Sequence, residues 1–401
     1  MTNAPVTNAR TDRFFNFPVT ILIFASFMLG MSEFVVVGIL PDIASGLKIS
    51  EVTVGNLVAL FAFIYAPCTP IGSALSARFP RFATYLILMG VFLVGNILCA
   101  LAPNYPVLLI ARLLIASVSG TLVAISMTFA PDVTTDKYRT KFIAWVFSGF
   151  SIASVVGVPI GTWVANTFGW RVTFYLVSVL TAVLMISMAL VLPRNSHPAK
   201  IGFLRQFRLF FDRRIQLGVF DVVCGAAASY VFYTYLSPIM RDEIGVPEQC
   251  LSIGLVIYGC ACLWSNLYGG KLADKGRGVE PLTHIRPIYC VQAVCLCLLA
   301  FASLVPAAGA LLLVVLGMLM YLQNSASQVL YMDVAYQSHP GSVNLAASLN
   351  SMSFNIGIAI GSAVGGLVND LLGLAWLGPV GAIFALFAAG ITTLLRPYIQ
   401  R

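Results

Sequence analysis

Residues 30–44 read GMSEFVVVGILPDIA and close a long apolar run that begins near residue 19. A run of that length crosses the ~30 Å hydrocarbon layer as a helix, and it carries an ionisable Glu33 in its outer third. A carboxylate in the hydrocarbon costs roughly 2.5–3.5 kcal/mol on insertion scales, so it persists where it lines a cavity, pairs with a cation or carries protons. The stretch therefore points to a transporter.

The rest of the chain repeats the signal. Of 401 residues, 59% are hydrophobic and 9% charged, with a mean hydropathy of +0.92. That composition excludes an ordinary soluble globule, and the long apolar runs lack the alternation of outer-membrane strands. The expected fold is an all-α membrane protein of twelve transmembrane helices, near 19–40, 54–76, 83–103, 106–130, 142–166, 172–193, 215–239, 251–273, 287–307, 309–333, 345–369 and 376–395. The first run is read as an uncleaved anchor because eleven more follow it.

Nineteen of the 23 Lys and Arg residues fall on one side of these spans, and only Lys48, Arg171 and Arg241 on the other. By the positive-inside rule both termini and the central loop are cytoplasmic. The net charge of +8 is thus topological, and no nucleic-acid partner is expected. Eight of nine cysteines lie inside spans, which argues against a disulfide framework. The pairs Cys260/Cys262 and Cys295/Cys297 diverge by about 200° around a helix, too far for one metal.

The longest polar stretch, residues 194–214, separates a first six-span half, 1–193, from a second, 215–401. The halves echo each other. Leu75 and Arg78 correspond to Leu272 and Lys275 at 197 residues, Gly161 to Gly361 at 200, and Asp132 to Asp333 at 201. Such repeats suit alternating access, in which one half rocks against the other around a midplane site. The linker's Phe207, Leu209, Phe210 and Phe211, set beside arginines, fit either a surface amphipathic helix or a solvated tether.

After the eighth span stand Gly270, Lys271, Leu272, Ala273, Asp274, Lys275, Gly276 and Arg277. This resembles the G-x-L-A-D-R-x-G-R loop of the major facilitator superfamily, one residue short. The first-half copy keeps Arg78 and Arg81 but has Ala77 and Pro80 where the family has Asp and Gly. Acid and base in such a loop can hold helix ends together by charge-assisted bonds. The stretch 149–171, GFSIASVVGVPIGTWVANTFGWR, resembles the antiporter motif of efflux members through Gly149, Gly157, Pro159 and Gly161, with Val158 as a departure. Small residues there also permit close packing in any bundle. With Asn355–Gly361, these stretches are similar to the twelve-span bacterial drug:proton antiporter branch, which includes sugar efflux, purine ribonucleoside efflux and chloramphenicol resistance. The resemblance implies a monomer in the bacterial inner membrane that exports a small organic solute in exchange for protons, without a cofactor. It implies gating roles for Arg78, Arg81, Gly157, Pro159, Gly161, Gly270, Asp274, Lys275 and Arg277.

Arg112 is the only cation inside a span. It lies about 9 Å from the outer end and Glu33 about 12 Å, so they can pair if spans 1 and 4 adjoin, as the family fold implies. The pair is either structural or proton- and substrate-responsive. Asp221 is a second candidate for coupling, or else a partner of Arg213 and Arg214 near the surface. Asn324, Ser327, Gln328 and Tyr331, and likewise Ser348, Ser351 and Asn355, recur at helical spacing. With Tyr230, Tyr233 and Trp264 they are expected to line a solute cavity. No Walker loop, H-E-x-x-H or G-x-S-x-G is present, so an enzyme is not expected; a facilitator or proton-symport importer of the same fold is the alternative.

Overall fold

The structure is a computed structural model of the chain that describes residues 14–76, 79–135, 138–194, 207–274, 285–339 and 342–399. Among them there is no strand. The helices are α1 (Phe17–Gly38), α2 (Leu40–Leu47), α3 (Glu51–Ser76), α4 (Arg81–Leu101), α5 (Tyr105–Thr128), α6 (Arg139–Ile152), α7 (Val158–Phe168), α8 (Trp170–Val191), α9 (Arg213–Tyr233), α10 (Leu251–Asp274), α11 (Ile285–Leu299), α12 (Pro306–Leu319), α13 (Asn324–Ser338), α14 (Val343–Leu372) and α15 (Leu377–Ile399). An apolar solvent leaves backbone groups no external partner, so each crossing closes its own hydrogen bonds as a helix.

Local chemistry sets the boundaries. Asn16 and Asn104 cap α1 and α5 by accepting from the amides of Val19 and Val107, each with a proline in the first turn. Gly169 and Gly373, at φ of 91° and 88°, end α7 and α14, a conformation that costs glycine little. Between α6 and α7 the chain runs through a π turn at Ala153–Gly157. Pro159 stands two residues after its end, and the proline's ring and missing N–H disrupt the preceding turn, which a wider turn accommodates.

Among the described residues, eleven helical segments are long and apolar enough to cross a membrane. Two expectations change. The span expected at 287–307 is the shorter apolar helix α11, 15 residues long, followed by turns at 300–304. The span expected at 309–333 is broken into α12 and α13. At the break the Tyr321 amide donates to Ser265 Oγ of α10 at 2.9 Å, replacing an intrahelical bond.

Packing brings α1 against α6, α7 and α8, α3 against α5 and α14, and α9 against α14 and α15. Small residues carry the closest contacts. A side chain at Gly149 would meet the backbone of Phe27 and Ile23, and one at Gly161 would meet Val35; Gly357, Gly361 and Gly365 face the backbone of α9 in the same way. At the end remote from the termini, Ser237 donates to the Val37 carbonyl at 3.0 Å, and Arg241 pairs with Glu51 at 2.8 Å.

Candidate functional site

Arg112 is fully buried on α5, and its guanidinium is held by α1. One terminal nitrogen donates to the Ser32 carbonyl at 2.5 Å and the other to the Glu33 carbonyl at 3.1 Å, while the plane lies 4.3 Å from the Phe61 ring centroid. The expected pairing of spans 1 and 4 is present, but through the backbone: no ion pair within 4.0 Å joins Arg112 to the Glu33 carboxylate among the described residues. The Ser32 hydroxyl donates to Asn96 of α4 at 2.8 Å, and Asn96 bonds Phe92 of its own helix. Three helices thus fix the peptide that carries Glu33.

The Glu33 side chain is left with freedom. It is 8% exposed, and its Oε2 has no hydrogen-bond partner among the described residues. It faces a small cavity lined by Glu33, Phe34, Val58, Phe61, Arg112, Tyr230 and Ile358, among others, with room for about one water molecule. Helices α1, α3, α5, α9 and α14 meet there.

Tyr230 opens an aromatic cluster. Its ring meets Tyr233 edge-on at 5.1 Å and Phe354 at 5.8 Å; Tyr233 stacks on Tyr258 at 5.6 Å, and Phe354 on Tyr321 at 5.6 Å. Tyr258, Tyr321 and Phe354 were not singled out from sequence, since an aromatic in an apolar span carries no signal of its own. Asn96 did carry one, an amide in an otherwise apolar helix, and was missed.

The other expected cavity residues divide. Ser351 meets the Tyr65 hydroxyl of α3 at 3.2 Å, and Asn355 donates to the Ser351 carbonyl while its Oδ1 stays unpartnered. Asn324 accepts from Asn350 at 3.2 Å, and Gln328 keeps a buried unpartnered Oε1. Trp264 does not join the cluster: it is 46% exposed and stacks on Tyr268 at 4.9 Å. It lies six residues from Tyr258, about 120° around the helix. Tyr331 also lies elsewhere, buried against Gly218, about 18 Å along α9 from Tyr230.

Of the two roles open to Asp221, the surface pairing with Arg213 and Arg214 is not formed among the described residues. Asp221 is 1% exposed and takes no arginine; Thr392 of α15 donates to it at 2.7 Å and Tyr289 of α11 at 3.3 Å. Arg214 instead pairs with Asp212 at 2.8 Å and holds that carboxyl below its ordinary range.

Of the residues expected to gate, Arg81 pairs with Asp132, donates to the Thr128 carbonyl and stacks over Phe129 at 4.2 Å. Gly157 packs on Met31, and Gly161 on Val35 and Thr173; Pro159 is buried in the first turn of α7. Gly270 and Asp274 lie in the last turns of α10. Arg78, Lys275 and Arg277 lie outside the described residues.

The fold has counterparts. Two crystal structures of a bacterial homologue of the human lysosomal transporter Spinster, inward-facing unoccupied and occupied, superpose with TM-scores of 0.71 and 0.74 at 15% and 13% identity. They match 96% and 94% of this chain and 97% and 96% of theirs. The MFS-type transporter YtbD of Bacillus subtilis is 31% identical over 93% of this chain and 94% of its own. The inner membrane transport protein YdhP of Escherichia coli K12 is 29% identical over 92% and 93%. The family model of the Major Facilitator Superfamily matches residues 22–348. A helical bundle of membrane-crossing segments around a buried carboxylate, with these relatives along its length, makes this membrane transporter a member of the major facilitator superfamily.

Proposed function

We propose that the protein is a solute:proton antiporter that exports a small organic solute across the bacterial cytoplasmic membrane, with both termini and residues 194–214 in the cytoplasm. The observation that carries this reading is the Glu33 carboxylate, buried among α1, α3, α5, α9 and α14 with one oxygen unpartnered. A carboxylate in that position carries a cost when charged, and the neighbouring Arg112 is committed to backbone carbonyls rather than ion-paired with it, which suits a group that loads and releases a proton. Arg112 sets its surroundings from the backbone side. The helices carrying the cavity belong to both repeats, 1–193 and 215–401, so rocking of one against the other changes what Glu33 faces. The close packing of Gly149, Gly157 and Gly161 on α1 supports export through a sealed first half. The basic asymmetry supports the orientation, and the name of YdhP as an inner membrane protein supports the location. Tyr233, Asn324, Gln328, Ser351 and Asn355, joined by Tyr258 and Tyr321, present the aromatic and amide groups a solute of this class needs. The chain acts alone, as a transporter and not as an enzyme.

The test is pH-gradient-driven transport in proteoliposomes, with solutes first found by thermal-shift screening. Glu33→Gln mimics the protonated acid, so solute binding persists while uphill export falls to background. Wild-type uphill export in Glu33→Gln would remove the coupling role from Glu33. Wild-type indifference to the proton gradient would leave a facilitator.

A further inference from the structure

Glu33 Oε2 and Arg112 Nε are buried without a hydrogen-bond partner among the described residues, and the buried Tyr230 hydroxyl has the Tyr321 hydroxyl nearby but no partner at full hydrogen-bond geometry; all three groups belong to residues lining one cavity. Buried polar groups rarely stay unpaired. The cavity has room for about one water, and a buried water makes about three hydrogen bonds. Neighbouring groups are already committed: the terminal nitrogens of Arg112 hold two α1 carbonyls, and the Tyr230 ring is wedged between Tyr233 and Phe354. Tyr230 also stands 197 residues after Glu33, the spacing that relates the two repeats, so the two residues occupy corresponding places on α1 and α9.

We propose that one water bridges these groups and that Tyr230 is a positioning residue for proton coupling, in addition to any contact with solute. The inference rests on Glu33 being the proton carrier. Tyr230 and Arg112 Nε donate to the water oxygen, and the water donates one hydrogen to the charged Glu33 carboxylate, which favours that form. The other titratable groups around Glu33 are Tyr65 of α3, Tyr233 of α9 and Tyr321 between α12 and α13, none of which lines the cavity in the way Tyr230 does. Because the bridge runs from α1 to α9, separating those helices breaks it. Protonation of Glu33 and movement of the two repeats then become one equilibrium.

The probe is the proton itself, followed by pH-titrated infrared difference spectra of the full-length protein in phosphatidylethanolamine/phosphatidylglycerol vesicles. The carboxyl C=O band of protonated Glu33 is assigned by its loss in Glu33→Gln. Tyr230→Phe keeps the ring and removes the hydroxyl. It is expected to move the band's frequency and to shift its pH midpoint upward by about one unit, the worth of one hydrogen bond. Tyr233→Phe, which trims the neighbouring ring, is expected to leave both at wild-type values. An unchanged midpoint and frequency in Tyr230→Phe overturns the bridge, as does an equal shift in Tyr233→Phe. A titrating band that survives in Glu33→Gln overturns the coupling role of Glu33 and the bridge with it.

Discussion

Glu33 on α1 and Asp221 on α9 are both buried carboxylates, yet one has an unpartnered oxygen beside a cation and the other accepts a hydroxyl on each oxygen without one. Asp221 accepts from Thr392 and Tyr289, one hydroxyl on each oxygen. Glu33 has an unpartnered oxygen and a guanidinium that holds its own backbone. The scaffolds behind them are nevertheless alike. Ser32 bonds Asn96 of α4 at 2.8 Å, and Ser229, 197 residues later, accepts from Gln292 of α11 at 3.0 Å. The same hydroxyl–amide tie therefore fixes α1 and α9, and what sits next to it differs: Glu33 with Arg112 in one case, Tyr230 in the other. The lesson is that burial alone does not mark a working acid. A carboxylate whose bonds are all made has no cheap alternative state, whereas one with an open valence can change partner as the helices move.

The largest expected effect after loss of uphill export in Glu33→Gln belongs to Arg112. Arg112→Ala strips the donors from two buried carbonyls and removes the charge nearest Glu33, a loss on the order of 3 kcal/mol. Thermal unfolding in detergent should show it as a lower midpoint. If Arg112→Ala is as stable as wild type, the guanidinium is not the tie between α1 and α5, and the contrast between the two acids loses its basis.

Asp221 sharpens the contrast from the other side. Asp221→Asn keeps an acceptor for Thr392 and is expected to stay within about 1 kcal/mol of wild type with uphill transport intact. Asp221→Leu leaves the Tyr289 hydroxyl without its acceptor and is expected to cost about 2 kcal/mol. Thr392 loses less, because its one hydroxyl proton can turn to its own Ala388 carbonyl, 2.9 Å away. Abolished proton coupling in Asp221→Asn, with solute binding retained, would make Asp221 a working acid and dissolve the distinction.

How much of this was legible from sequence depends on the kind of information each residue carries. Hydropathy and the 197–201-residue echoes are properties of the chain itself, so the helical class and the family resemblance could be read directly. The meeting of Glu33 and Arg112 was permitted by their similar depths and required the adjacency of spans 1 and 4 that the family resemblance implies, but whether the guanidinium meets carboxylate or carbonyl depends on side-chain torsions, which depth does not fix. Trp264 was misplaced because α10 is apolar on most faces, so its rotation about its own axis leaves no periodic trace. Tyr331 was misplaced because the break at Met320–Gln323 separates the apolar α12 from the polar α13, and a change of composition does not reveal a change of helical phase. Of the two roles open to Asp221, pairing with Arg213 and Arg214 was suggested by closeness in sequence; Asp212 is closer still and takes Arg214.

The smallest effect extends the comparison to a third acid, Asp42, which lies on α2 outside the spans. Burial, and next the charge of Glu248, raise its carboxyl to about 6, with Arg241 acting in the opposite direction. The ordinary value is 3.8, so the folded protein binds this proton more tightly than the unfolded chain does. Between those two values stability therefore falls as pH rises, and above about 6 the penalty is fully present. Acidifying from pH 7 to pH 5 should raise the thermal midpoint, and Asp42→Asn should raise it at pH 7 while flattening the dependence in that window. The gain is held to about 1 kcal/mol or less by solvent screening of a half-exposed group. Because Arg241 also ties Glu51 of α3 to the segment after α9, Arg241→Ala should leave Asp42 and Glu248 without a counter-charge and steepen the same pH dependence. A flat profile in wild-type protein would mean that Asp42 meets Glu248 only through solvent, leaving the Arg241–Glu51 pair and Ser237 as the polar ties at that end of the bundle.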